Sequence, residues 1–176
     1  EHRVALGDRI YGCDDCQEVC PPSRRADAAA SPHGAPPHGA LPHGAPASTV
    51  APPAEPGAWV EVDWLLGAPD DELMATVGRW YVPRRDPRYL RRNALIVAGN
   101  TGASDDPALI THLEALLDGP DDLLAGYAAW AALRLGRHDV VAVGARADRP
   151  SVAAELADPP PSRVAAAAGS GEDGAR

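Results

Sequence analysis

The sequence lacks several residue types and patterns, and each absence narrows the class of protein. Its 176 residues contain no lysine and no phenylalanine, so arginine supplies all 16 basic side chains. We interpret this bias as compositional and not as a functional signature. No apolar run approaches the ~18–20 residues that cross a bilayer, and no signal peptide precedes the first motif. We therefore expect a cytoplasmic protein that does not associate with membranes.

Charge and catalytic motifs are limited as well. The net charge of −9 argues against the chain as a whole binding a polyanion. The sequence has no G-x-x-x-x-G-K-[S/T], no G-x-S-x-G and no H-E-x-x-H, so it does not predict a P-loop nucleotidase, an α/β-hydrolase or a zinc peptidase. The isolated His2, His112 and His138 are interpreted as structural or exposed side chains.

All three cysteines of the chain lie within eight residues. Cys13, Cys16 and Cys20 are spaced C-x2-C-x3-C and are followed by Pro21. Such crowding makes a poor disulfide framework and favours a reducing compartment. The spacing matches the last three cysteines of the ferredoxin run C-x2-C-x2-C-x3-C-P, which binds [4Fe–4S] clusters. The position of the first cysteine of that run is occupied by Ile10.

The ferredoxin run also predicts how the cysteines divide between clusters. Its last cysteine usually binds a different cluster from the others, so we expect Cys13 and Cys16 to serve one cluster and Cys20 another. Neither cluster is completed by this chain, which we interpret as a C-terminal fragment with further ligands upstream of Glu1. The alternative is zinc bound by the three cysteines and His33. Pro21 and the nonstandard finger spacing favour iron–sulfur.

The composition divides the chain into four segments. Residues 1–22 are predicted to be the C-terminal part of a ferredoxin-like [4Fe–4S] segment. Residues 23–57 form a Pro/His/Gly/Ala-rich linker with a repeated Pro-His-Gly-Ala unit, which we expect to be disordered. Residues 58–157 are predicted to be a HEAT-like helical repeat domain, and residues 158–176 a disordered tail. The predicted fold class is mainly α.

Acidic residues next to prolines mark the starts of the predicted helices. Asp86-Pro87 and Asp106-Pro107 place a capping carboxylate before a first-turn proline, and Asp121-Asp122 offers a third acidic start. We predict five helices. The first runs from Asp70 to Trp80 or Tyr81, and the next three begin at these acidic signals and end near Gly99-Asn100, Gly119 and Gly136. The fifth is predicted over Pro150 to Ala157. A self-match at a period of 34 residues predicts stacked helix pairs; it aligns Leu90, Ala94, Ala98 and Gly102 with Leu124, Ala128, Ala132 and Gly136.

A basic cluster precedes and begins the second of these helices. Aromatic residues are interleaved with its arginines, a combination that suits phosphate contact and base stacking in RNA recognition. The alternative is a solvated helix face whose arginines pair with nearby carboxylates. The cluster comprises Arg79, Arg84, Arg85, Arg88, Arg91 and Arg92, with Trp80, Tyr81 and Tyr89 between them.

Two segments resemble the epoxyqueuosine reductase family. The run from Arg9 to Pro21 is similar to the second cluster motif of that family. The run from Asp86 to Ala94, with Gly99-Asn100, is similar to the start of its C-terminal HEAT-like repeat. The resemblance covers most of residues 1–22 and 59–136.

The resemblance implies an oxidoreductase that reduces an epoxide on a modified tRNA base, the last step of queuosine synthesis. The family uses cobalamin and two [4Fe–4S] clusters, and its HEAT-like part helps to hold the tRNA. It implies that Cys13 and Cys16 share one cluster with upstream cysteines, that Cys20 completes the other, and that Asp14 lies near cobalamin. The expected tRNA contacts are Arg84, Arg85, Arg88, Arg91 and Arg92.

The chain also departs from the family pattern. Pro22-Ser23 stand where Trp-Asn is common, and the family's catalytic acid and first cluster motif are not in this sequence. Because of these missing parts, we expect this chain to be inactive by itself. We also expect a monomer. No sequence feature identifies the electron donor. Two other hypotheses remain: a ferredoxin-like electron carrier or scaffold with a helical protein-binding repeat, and a zinc-stabilised interaction module.

Overall fold

The computed structural model describes residues 2–11, 60–78, 80 and 82–163. Apart from Tyr11, they belong to one compact unit, formed by Glu1–Ile10 and Thr49–Arg176. The three cysteines, the linker over residues 23–57 and the tail beyond residue 163 lie outside the described residues. The predictions that fall on them stay predictions.

Within the described ranges every regular element is helical and no strand occurs, which confirms the mainly α prediction. None of these helices has the length and apolar character needed to cross a bilayer. Two short 3-10 turns cover Pro83–Arg85 and Gly144–Arg146. The α-helices are α1 (His2–Ala5), α2 (Val62–Gly67), α3 (Asp70–Val77), α4 (Arg88–Thr101), α5 (Pro107–Asp118), α6 (Asp122–Arg134), α7 (His138–Val141) and α8 (Pro150–Ala157).

Two of the predicted acidic caps, Asp106 and Asp121, begin their helices as predicted. The Asp106 carboxylate accepts hydrogen bonds from the backbone N–H groups of Ala108 (2.9 Å) and Leu109 (3.4 Å), and thereby satisfies donors that α5 cannot pair internally. Asp121 accepts from the N–H of Leu124 at 3.1 Å at the start of α6. Asp86 accepts from the N–H of Arg88 at 3.0 Å, but α4 begins at Arg88 with Pro87 as its N-cap, one position later than predicted.

Two helix ends differ from the sequence prediction. Helix α3 ends at Val77 and not at Trp80 or Tyr81. The chain turns tightly at Gly78, where an added Cβ would lie 2.1 Å from the carbonyl oxygen of Met74. In contrast, α4 continues through Gly99 and Asn100 to Thr101. The predicted ends of α5 and α6 near Gly119 and Gly136 agree with the structure, and α8 covers the predicted residues.

Helix α6 lies at the centre of the unit and packs against α4, α5 and α8. Its buried surface consists largely of alanines, which allow neighbouring backbones to approach closely. The two helices approach closely at Gly99, where an added Cβ would lie 2.7 Å from the Trp130 ring and 3.1 Å from the Cα of Ala131. Helices α4 and α6 begin at Arg88 and Asp122, which differ by the predicted offset of 34 positions.

Candidate functional site

The predicted RNA-contacting arginines occupy different surroundings. Arg84 and Arg85 are exposed on the 3-10 turn before α4. Both have positive φ angles, +57° and +53°, a left-handed conformation that is uncommon for residues other than glycine. The Arg85 guanidinium donates to the carbonyl oxygen of Gly78 at 3.2 Å. The turn therefore presents two adjacent positive charges to solvent on a strained backbone.

Arg88 and Arg92 flank Tyr89 on the first turns of α4. Their guanidinium carbons lie 5.1 Å and 5.3 Å from the Tyr89 ring centroid, within cation–π range. Arg88 also forms an ion pair with Asp86 at 2.9 Å. A hydrogen bond with Tyr89 and the charge of Asp86 raise the pKa of Arg88 above its ordinary value, so it stays protonated. The three side chains make a stacked cationic and aromatic surface.

Arg91 points instead into the contact between α4 and the turn that joins α2 to α3. Its guanidinium lies 2.5 Å from a carboxylate oxygen of Asp70 and donates to the carbonyl oxygen of Ala68 at 2.6 Å. Only 15% of the Arg91 side chain is exposed. These contacts hold the turn against α4.

A second feature joins α4 to the N-terminal segment, defined here as residues 2–10. The side-chain amide of Asn93 donates to the carbonyl oxygen of Ile10 at 2.7 Å. The amide of Asn100 donates to the carbonyl oxygens of Arg3 (2.9 Å) and Gly7 (3.0 Å). A spacing of seven residues places both asparagines on one face of a helix. Both lie in the runs that resemble the reductase family, but the sequence pattern alone predicts no function for them.

Arg3 provides the other attachment of the N-terminal segment. Its guanidinium forms an ion pair with Glu155 of α8 at 2.7 Å. It also lies over two aromatic rings of α6, 4.5 Å from the Tyr127 centroid and 5.6 Å from that of Trp130. Leu6 and Ile10 pack against the hydrophobic core. The N-terminal segment is therefore held by backbone, charge and apolar contacts together.

The predicted metal ligands Cys13, Cys16 and Cys20, together with Asp14, lie outside the described residues. Across residues 2–11, 60–78, 80 and 82–163, no group of three His, Cys, Asp or Glu side chains is placed to hold a metal ion. His112 contacts the Asp63 carboxylate at 2.9 Å and joins α5 to α2, in keeping with its structural interpretation. As a donor set, three closely spaced thiols suit a cluster or zinc.

Comparison with known proteins now identifies relatives of the chain. It is 31% identical over 137 residues to the epoxyqueuosine reductase of Bacillus cereus, a match that covers 77% of this chain and 31% of that protein. It is 28% identical over 136 residues to the epoxyqueuosine reductase of Bacillus subtilis, covering 77% of this chain and 30% of the relative. A shorter match to the Vibrio cholerae epoxyqueuosine reductase is 69% identical over 26 residues, 15% of this chain and 7% of that protein. No family model and no solved structure matches.

These relatives define a class of reductases. The chain is a homologue of the epoxyqueuosine reductases, which confirms the resemblance found in its sequence. The chain spans about a third of the length of the Bacillus cereus and Bacillus subtilis reductases.

Proposed function

We propose that this chain is part of an epoxyqueuosine reductase, an oxidoreductase that reduces epoxyqueuosine to queuosine in tRNA in the cytoplasm. The observation that carries the proposal is the match of 77% of the chain to the Bacillus cereus protein of that name. The cysteine spacing is typical of [4Fe–4S] proteins and supports the same proposal. The activity is that of the whole protein, to which this chain contributes two parts.

The first part is the cysteine segment. Three thiols spaced C-x2-C-x3-C before Pro21 suit [4Fe–4S] ligation, so Cys13 and Cys16 would bind one cluster and Cys20 a second, each with further cysteines of the same protein. Asp14 would lie beside cobalamin. When bound, the clusters would carry electrons and the cobalamin would deliver them to the epoxide.

The second part is the helical unit, which we propose to be a HEAT-like repeat that contacts tRNA. The starts of α4 and α6 differ by 34 positions, the period of the sequence self-match, and α5 lies between these helices in the chain. This arrangement supports the repeat. The exposed Arg84 and Arg85 suit phosphate contact, and the surface formed by Arg88, Tyr89 and Arg92 suits phosphate and base stacking. Arg91 would act with them by holding the start of α4 in place.

Anaerobic reconstitution of the whole protein with iron and sulfide tests the cysteine assignment. We expect two clusters, observed by visible absorbance and electron paramagnetic resonance, and conversion of epoxyqueuosine in tRNA. Cys13→Ser and Cys16→Ser should perturb the same cluster signal, whereas Cys20→Ser should perturb the other. Stoichiometric zinc without iron would favour the interaction module. Clusters without tRNA binding or conversion would favour the electron carrier.

A further inference from the structure

We propose that Asn93 and Asn100 are positioning residues that fix the N-terminal segment on α4 and thereby orient the entry into the cysteine motif. The inference rests on the proposed function, because it assigns the cysteines to a cluster. It adds a role for the helical unit that is separate from tRNA contact: the unit also holds the residues that precede the cysteine motif.

The chemistry of Asn93 suits this role. Its side-chain oxygen accepts hydrogen bonds from two nitrogens of Arg92, at 3.1 Å and 2.8 Å. Those bonds fix the amide so that its nitrogen faces the carbonyl oxygen of Ile10. A carboxylate could still accept from Arg92, but it could not donate to Ile10. Only an amide of this size satisfies both neighbours.

Asn100 provides two of the three hydrogen bonds in the anchor. Its nitrogen carries two protons, and the structure pairs the nitrogen with the carbonyl oxygens of Arg3 and Gly7. Its own side-chain oxygen is buried and has no hydrogen-bond partner among the described residues. A buried unpaired acceptor is unfavourable, so the side chain contributes to the structure through its donors.

The composition of the chain supports the same conclusion. Asn93 and Asn100 are its only two asparagines, and both donate to backbone carbonyls of the same short segment. That segment reaches Ile10, three positions before Cys13 and at the position of the first cysteine in the ferredoxin spacing. Cluster ligation depends on a loop whose thiolates and backbone N–H groups are held in a fixed arrangement. A fixed Ile10 backbone would reduce the freedom of that loop.

Hydrogen exchange and cluster stability in the reconstituted whole protein test the proposal together. The paired variant Asn93→Asp with Asn100→Asp retains side-chain shape but removes the donors, and the paired alanine variant removes them without adding charge. We expect the backbone amides of residues 2–11 to exchange about tenfold faster, and the clusters to be lost faster to an iron chelator. Thr101→Val is the matched control, because among the described residues the Thr101 hydroxyl donates only to the carbonyl oxygen of Val97 in its own helix.

Unchanged exchange in both paired variants, with helical circular dichroism intact, would overturn the anchor. Faster exchange with unchanged chelation kinetics and cluster potential would overturn the positioning role. A wild-type protein that binds no iron would refute the proposed function instead, and its exchange pattern would still decide whether the asparagines hold the segment. If the paired variants do not fold, Asn93→Asp alone gives the same readouts, because Asn100 remains.

Discussion

The side-chain nitrogen of Asn93 lies 2.7 Å from the carbonyl oxygen of Ile10, a residue 83 positions earlier in the chain. This bond joins the two runs that resemble the reductase family, the one that contains the cysteines and the one that begins α4. The adjacent Arg92 both holds the Asn93 oxygen and stacks on Tyr89. One pair of neighbouring residues thus connects the N-terminal segment to the basic surface.

The first prediction concerns this double role of Arg92. Arg92→Met keeps an unbranched apolar stem at this position but removes the guanidinium donors that orient the Asn93 amide. We expect faster amide exchange in residues 2–11, by less than in the asparagine variants because Asn100 still donates. Arg84→Gln serves as the control, since it removes a charge from the exposed turn. Equal exchange in wild type and Arg92→Met would show that Asn93 orients itself without its neighbour.

The second prediction concerns the exposed turn. The double substitution Arg84→Gln with Arg85→Gln should weaken tRNA binding, because each phosphate contact releases counterions. The slope of log affinity against log salt should fall by about 1.4–1.8 if each arginine contacts one phosphate. The measurement is a binding titration at several salt concentrations, with Arg137→Gln as the control because it pairs with Asp139 at 2.7 Å. An unchanged slope would assign the turn to the solvated surface.

The third prediction concerns the contact between α4 and α6. Gly99→Ala adds a methyl group that would lie 2.7 Å from the Trp130 ring, so the ring or the helix backbones must shift. We expect the free energy of unfolding to fall by about 1–3 kcal/mol, measured by urea denaturation. Gly119→Ala is the comparison, since its Cβ would approach only carbonyl groups of its own helix, at 3.2 Å or more. Equal losses in the two variants would contradict a specific role for the α4–α6 contact.

The fourth prediction concerns pH. Arg146 donates to both carboxylate oxygens of Asp118, at 2.6 Å and 2.5 Å, and these hydrogen bonds lower the pKa of Asp118. The unfolded carboxylate therefore binds a proton more readily than the folded one. The stabilisation is present above the ordinary aspartate pKa and is lost as the pH falls through the lowered value.

Asp118→Asn should consequently lower the thermal midpoint at neutral pH and change it little at about pH 2. Thermal unfolding of both proteins across this range makes the comparison. The exposed Asp105→Asn is the control, since no ion pair of Asp105 occurs among the described residues. A difference that is the same at both ends of the pH range would contradict the role of the ion pair.

The sequence predicted those parts of the fold that depend on local chemistry. The starts at Asp106 and Asp121 followed from capping, and the ends near Gly119 and Gly136 followed from glycine. The end of α3 was misplaced because the pattern was extended to Trp80 through Gly78. The sequence could not predict in the same way which arginines of the basic cluster are exposed. Arg84 and Arg91 belong to the same basic run, and only the tertiary contacts of Arg91 with Asp70 and Ala68 distinguish a packed charge from an exposed one.

The asparagine anchor could not be predicted for a related reason. Its acceptors are backbone carbonyls, which every residue possesses, so no sequence pattern identifies them. The spacing of Asn93 and Asn100 indicates a shared helix face, but the segment that lies on this face is 83 to 97 positions away. Such a contact exists only once the tertiary fold has formed.

The ion pair between Arg3 and Glu155 spans 152 positions of the chain, which has a consequence for biosynthesis. A ribosome adding ~5–20 residues per second takes roughly 8–30 s to cover that distance. The cysteines are thus translated long before the helices that hold the preceding residues. Metal insertion during translation would act while residues 2–10 are still undocked, and release of α8 from the exit tunnel would complete the attachment.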